Sequence, residues 1–298
     1  CRKALDTKRF ILKSAVSYQK AVFKDSITSI RAYNGNLSIL KNISCIGASK
    51  LFSYLAINTF SSIGIEREQS QNEDKFDFPY VELSKDSYET FERIYKEQYD
   101  AKQKDIVDSV KIQQLDELIE NKYDELNEEI CDTLHMQEVE KDLINYTLDI
   151  SMPLITKSNG YKNIFNAIKQ DDQQLKEYAQ VYIDRFANSF NRSGKRFTIE
   201  ILYSKQVIGM YFKVIDESMF TDEVVFTSDN ENLLPTITAL TSQKLTDALF
   251  VQKDVRGFEK EYFYIFKPNE KRLWYKAIAY LDVNEFDDAM LRGGRNRE

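Results

Sequence analysis

The stretch from residue 84 to residue 150 contains no proline, and its apolar residues recur every three or four positions. That spacing places them on one stripe of an α-helix, and no interior proline interrupts the hydrogen-bond ladder. Tyr88, Phe91, Tyr95, Tyr99, Ile106 and Val110 form one stripe, and Leu115, Leu118, Ile119, Tyr123, Leu126 and Ile130 the next. Val139, Leu143, Ile144 and Leu148 form a shorter third. Long acidic helices with narrow apolar seams predict a spacer or a helix pair. Ser84 ahead of the first run, and Asp86 in its first turn, suit a helix N-terminus.

The flanks read differently. Residues 8–33 interleave β-branched and aromatic residues with lysine, which predicts strands broken at Lys24-Asp25-Ser26 and Tyr33-Asn34-Gly35-Asn36. Leu37, Leu40, Ile43, Ile46, Leu51 and Leu55 then predict one amphipathic helix over 37–57, capped by Asn36. Residues 64–81 are polar, punctuated by Gly64 and Pro79, and read as a loop with a short strand near 76–81. Beyond residue 158 the pattern is α+β. A helix near 161–191 ends at Asn191-Arg192-Ser193-Gly194, strands follow at 197–203, 207–215 and 223–226, and a helix runs from Leu233 to Leu249. Strands at 249–255 and 262–266 flank Arg256-Gly257, and two short helices, about 271–279 and 284–292, finish the chain. The expected fold class is therefore α+β, in three parts: a strand-rich module with a packed helix (1–83), an acidic helical spacer (84–150) and a C-terminal α+β domain (151–298).

The net charge of −7 conceals an asymmetry. Residues 1–57 carry ten Lys and Arg against two Asp and Glu, a net of +8. Residues 82–142 carry eight against nineteen, a net of −11. A basic module on an acidic frame is compatible with docking on phosphates. The most apolar stretch, Ile39 to Ile63, is interrupted by Lys41, Asn42, Ser44, Lys50, Ser53 and Asn58, so no membrane span is expected. Cys1-Arg2-Lys3 runs into an alternating segment, not the apolar core of a signal peptide. With three scattered cysteines, a reducing cytoplasm is the expected compartment.

Catalytic patterns fail one by one. The nine glycines include no closely spaced set that could cradle a phosphate, apart from the tail pair Gly293-Gly294. The lone His135 stands four residues after Cys131, on one face if both are helical, and two ligands do not close a zinc site. Asp77-Phe78-Pro79-Tyr80 is one proline short of the tetrapeptide by which amino-group DNA methyltransferases hold their target amine. The E-x-K matches, Glu73-Asp74-Lys75 and Glu120-Asn121-Lys122, fall in a polar loop and on a helix instead of on adjacent strands. No catalytic residue, metal ligand or cofactor is expected in this chain.

What remains is a basic and aromatic set in the first segment: Lys13, Tyr18, Lys20, Lys24, Arg31, Tyr33 and Asn34. Lysine and arginine neutralise phosphates, and Arg31 and Asn34 have side chains suited to base edges. A resemblance points the same way. Thr59-Phe60-Ser61-Ser62-Ile63-Gly64-Ile65-Glu66-Arg67-Glu68-Gln69, about twenty residues after Leu37-Ser38-Ile39-Leu40-Lys41, resembles the target-recognition region of bacterial N6-adenine DNA methyltransferases of restriction-modification and phage-defence systems. Ile63 stands where that family often has Trp, and Gly64, Glu66 and Arg67 match its motif. Residues 10–19, residues 115–126, and residues 249–256 with 266–274 are also similar to parts of that class.

The resemblance implies a module that recognises double-stranded DNA and does not itself modify it. Its partners would be a methyltransferase catalytic domain or other restriction-modification or defence subunits. S-adenosylmethionine would be bound only by an upstream catalytic domain, which would carry the site-specific adenine-N6 methyltransferase activity. Two rival expectations are a protein-interaction adaptor of a defence complex and a cryptic metal-dependent nuclease.

Overall fold

The computed structural model describes residues 5, 10–19, 22, 27–60, 77–103, 109–157, 160–227 and 254–295. It is an α+β protein, with helices throughout and one five-stranded sheet. The chain divides into two compact units, Cys1–Asn159 and Gly160–Glu298. Among the described residues no helix is long and apolar enough to cross a membrane.

The first unit is helical. Helices α1 (Leu37–Gly47) and α2 (Lys50–Thr59) replace the single helix expected over 37–57. Ser49 causes the break. Its hydroxyl accepts from the Phe52 amide and donates to the Ile46 carbonyl, so it caps α2 in place of continuing α1. Asn36 caps α1 as expected, accepting from the Ser38 amide. The acidic stretch forms α3 (Lys85–Lys102), α4 (Ser109–Thr133) and α5 (Glu138–Tyr146). A π-helical turn, Thr147–Ser151, then leads into α6 (Met152–Thr156), where Pro153 lacks the amide that would keep the α-ladder in register.

These helices do not stand off as a spacer. Cys45, Ile46 and Leu51 share one core with Val81, Leu83, Phe91, Leu126, Ile130 and Ile144. Within α3 the inward residues are Phe91, Ile94 and Ala101, while Tyr95 and Tyr99 of the expected stripe are exposed. Glu129 of α4 closes the start of α3, accepting from the Ser84 amide at 2.5 Å and the Ser87 hydroxyl at 2.7 Å. The seam expected for a helix pair is real, and its rim is wide enough to hold α1 and α2 as well.

The strand-rich expectation for residues 8–33 is corrected over its described residues, with 8–9, 20–21 and 23–26 lying outside them. Apart from an isolated β-bridge at Ile27, the described residues of 10–19 and 27–33 form no strand. The Leu12 amide donates to the Gly47 carbonyl at 2.7 Å, and the Val16 amide points at the Tyr88 hydroxyl, 3.4 Å away. Helical neighbours thus satisfy donors that a sheet would otherwise take. The alternating pattern places Leu12 in a core with Phe10, Phe52, Ala56 and Phe60.

The second unit carries the sheet. Helix α7 (Gln173–Phe190) is capped by Asp172 and stops at the Ser193-Gly194 turn, where both residues have positive φ. Strands β1 (Lys195–Tyr203), β2 (Val207–Asp216), β3 (Val224–Thr227), β4 (Val255–Phe258) and β5 (Tyr262–Pro268) follow in chain order. In space the order is β3-β1-β2-β5-β4, antiparallel except for β1 against β3. Arg256 and Gly257 lie within β4 instead of between strands. The chain ends in one 20-residue helix, α8 (Lys276–Arg295), where two short helices were expected. The expected helix at 233–249 lies outside the described residues.

Period-two alternation sorts the strand residues. Phe197, Ile199, Ile201, Ile208, Met210, Phe212, Phe263 and Ile265 pack with Leu175, Tyr182 and Phe186 of α7 and with Val283 and Phe286 of α8. Tyr182, Phe212 and Phe263 stack in series, with ring centroids 4.1 and 4.6 Å apart. The opposite face carries Leu202, Tyr211, Tyr264 and Phe266. Gly209 sits across from Phe266 on that face, and a Cβ there would overlap the buried Phe266 ring. Gly209→Ala is therefore expected to destabilise the second unit by about 1–3 kcal/mol, an overpacking cost. Urea unfolding followed by the fluorescence of Trp274, the only tryptophan and a residue of this unit, measures it.

Candidate nucleic-acid interface

Residues 12–19 run along α1, and residues 27–32 return beside them before the turn that starts the helix. Between them lies a groove of about 820 Å³, floored by Leu37, Leu40 and Ile43 of α1. Leu40 and Ile43 were expected inside the core. Because the helix breaks at Ser49, Ile46 and Phe52 take that place, and Leu40 and Ile43 are only partly buried.

One wall is fixed by close approach. A Cβ on Gly47 would lie 3.0 Å from the Leu12 Cβ, so a side chain there would require Leu12 to shift by a few tenths of an ångström from its seat on the end of α1. Ser14 and Ser44 hydroxyls meet at 2.7 Å, and the Tyr18 hydroxyl donates to Glu92 at 3.3 Å. The other wall ends in a turn in which the Gly35 amide donates to the Ala32 carbonyl, and Gly35 takes φ +67°. That left-handed geometry suits glycine.

The groove unites part of the expected site. Lys13, Tyr18 and Arg31 line it, and Tyr33 and Asn34 are exposed on the turn beside its lining residue Gly35. Lys20, Lys24, Gly64, Glu66 and Arg67 lie outside the described residues. Sequence reasoning missed the hydroxyls of Ser14, Ser17, Thr28 and Ser29, which line the same groove. Their positions within a basic segment were the available signal, since hydroxyls and lysines together are common phosphate partners.

The charge is sorted by geometry. Among the described residues, none that lines the groove is acidic. The acidic helices approach its margin through α3: Glu89 holds Lys41 at 3.1 Å, and Glu92 holds Tyr18. Its hydrogen bond to Glu89 raises the Lys41 ammonium above the ordinary lysine range. Asp124 and Glu128 of α4 face Lys50 and Lys141 instead, at 2.8 and 3.1 Å. The −11 segment thus neutralises part of the basic segment directly, which corrects the expectation that it stands apart.

The residues weighed for catalysis have other roles. Helix α4 ends at Thr133 and His135 has φ +53°, so Cys131 and His135 do not share a helical face. Burial pushes the Cys45 thiol up to about 12 and raises that of Cys131, the reverse of what activates a thiolate. Among the described residues no group of three or more His, Cys, Asp or Glu could hold a metal ion. Phe78 packs against Phe52, and the Tyr80 hydroxyl accepts from Asn42 at 3.0 Å.

In the second unit, the residues that carry the C-terminal resemblance build structure. Asn269 is buried, accepts from the Ile168 amide at 2.8 Å and donates to the Ser204 carbonyl at 3.0 Å. The Trp274 indole donates to the Pro268 carbonyl at 3.0 Å. Lys267 is buried and paired with Asp282, which also accepts from Tyr178 at 2.5 Å and Arg256 at 3.0 Å. Burial lowers the Lys267 ammonium below the ordinary lysine range, and the Asp282 charge opposes that shift. No family model, curated protein or solved structure matched the chain.

Proposed function

We propose that this chain is the DNA sequence recognition region of an adenine-specific DNA methyltransferase or related restriction-modification or phage-defence protein, non-catalytic in itself. The observation that supports this reading is the groove of the first unit, which presents Lys13 and Arg31 and, among the described residues, no acidic lining, although the chain as a whole is acidic. Cations backed by hydroxyls suit a phosphodiester backbone, and Asn34 beside Arg31 suits base edges. Double-stranded DNA is the proposed partner. A methyltransferase catalytic domain or other restriction-modification or defence subunits are the proposed protein partners, and S-adenosylmethionine would belong to that catalytic domain. The proposed compartment is the cytoplasm.

Fluorescence anisotropy with a random-sequence duplex tests the reading. Binding is expected, with log K falling linearly as log salt rises, at a slope of about −2.7 if Lys13, Lys20 and Arg31 each neutralise one phosphate. No binding at about 50 mM salt, where nonspecific electrostatic attraction is strong, would remove the reading and leave the adaptor role.

A further inference from the structure

The Tyr33 turn is a projection with a defined shape. The Tyr33 side chain is 101% exposed, as open as a tyrosine in an extended peptide. Tyrosine ordinarily covers its ring, because the ring carries a large apolar area. Here the ring stands on a turn closed by the Ala32 carbonyl and Gly35 amide, and Asn36 ties that turn to the first turn of α1. The ring is thus presented on a braced support, which reduces the ordering cost of a contact made there. Arg31, two residues before it, faces the groove, and Asn34, directly after it, is exposed.

A partner for this tip must offer a flat apolar surface the size of an aromatic ring, close to negative charge. A base step of a DNA duplex offers both once it is parted, since the faces the two base pairs turn to each other are π-surfaces flanked by phosphates. We infer that the Tyr33 turn is a base-contacting wedge: Tyr33 enters between neighbouring base pairs of a duplex, while Arg31 holds an adjacent phosphate. The inference rests on the DNA-recognition reading and adds a mode of binding to it. A wedge unstacks the step it enters, so it unwinds and kinks the duplex, and that part of the unwinding depends on the inserted ring, whereas contacts limited to phosphates do not need the ring.

Unwinding of a closed circular plasmid separates the two modes and requires no defined target sequence. The full chain is bound to plasmid at low salt, the complex is relaxed with a topoisomerase, and the linking number is read on a gel after the protein is removed. The parent chain and Tyr33→Phe are expected to shift the topoisomer distribution, and Tyr33→Ala is not. Tyr33→Ala is also expected to weaken duplex binding by about five- to hundredfold, the cost of one lost stacking contact. Its salt slope should remain that of the parent, because no charge is removed. Tyr33 lies outside the core, so circular dichroism of the variant should match the parent. If parent and Tyr33→Ala bind duplex equally well and shift topoisomers equally, or neither shifts them, the wedge is refuted and DNA recognition stands. If the parent binds no duplex at all, both fall together.

Discussion

Neutralising Lys13, Lys20 and Arg31 together is expected to lower duplex affinity by about 500-fold at 0.1 M salt. The size follows from counterion release. Each phosphate neutralised contributes about −0.9 to the slope of log K against log salt. Removing three contacts should therefore flatten the slope by about 2.7. If the parent and variant affinities converge near 1 M, the same 2.7 appears as a gap in log K one decade of salt below. Lys13 and Arg31 line the same groove, and neither belongs to the core, so the loss should come without unfolding. Lys20 is included on its place in the basic segment. Anisotropy titrations of parent and variant over a range of salt give both quantities. A variant that binds as tightly as the parent at low salt, with the same slope, would move the interface elsewhere.

The second large effect is expected on stability. Asp282→Ala should destabilise the second unit by about 3–5 kcal/mol, because it leaves the buried Lys267 ammonium without its counter-charge. Lys267 and Asp282 are only 3% and 4% exposed. Asp282 joins three elements: Lys267 on β5, Tyr178 on α7 and Arg256 on β4. Loss of the carboxylate also strands the Tyr178 hydroxyl, whose remaining neighbours are Tyr182 at 3.4 Å and the lysine itself at 3.2 Å. Replacing both charges, as in Lys267→Met with Asp282→Leu, should recover the part of the loss that comes from the orphan ammonium, while the Tyr178 hydroxyl keeps only Tyr182 as a neighbour. Trp274 packs against Tyr178 at 5.0 Å between ring centroids, so its fluorescence reports this unit directly in a denaturant titration. A single Asp282→Ala variant within about 1 kcal/mol of the parent would show that water reaches the ammonium and that the tie contributes little.

Much of the second unit is legible in the amino-acid pattern alone. Strands β1, β2, β3 and β5 lie within two residues of their expected bounds, because strict alternation of Phe197, Ile199 and Ile201, and of Ile208, Met210 and Phe212, leaves only one face to bury. The stop at Ser193-Gly194 is equally local. The single helix α8 is not legible as one element: the two expected helices, about 271–279 and 284–292, leave a gap at 280–283. In the fold, Asp282, Val283 and Phe286 all face inward, and burial on one side carries the helix through that gap.

The first unit divides the other way. Local sequence determined that the described residues of 84–150 are mostly helical, that Asn36 caps α1, and that basic residues concentrate ahead of α1. Only tertiary structure decided that residues 10–19 lie along a helix instead of in a sheet, because the alternation of apolar residues is the same whether a strand or a helix end receives the amides of Leu12 and Val16. Tertiary structure also decided that the helix breaks at Ser49, which places Leu40 and Ile43 under the groove. And it decided which charges cancel. Lys41 and Lys50 lie within reach of Glu89 and Asp124, some 48 and 74 residues away in the chain. Net charge is a sum along the chain, but screening confines its action to about 8–10 Å, so the field a ligand meets depends on which charges the fold brings together.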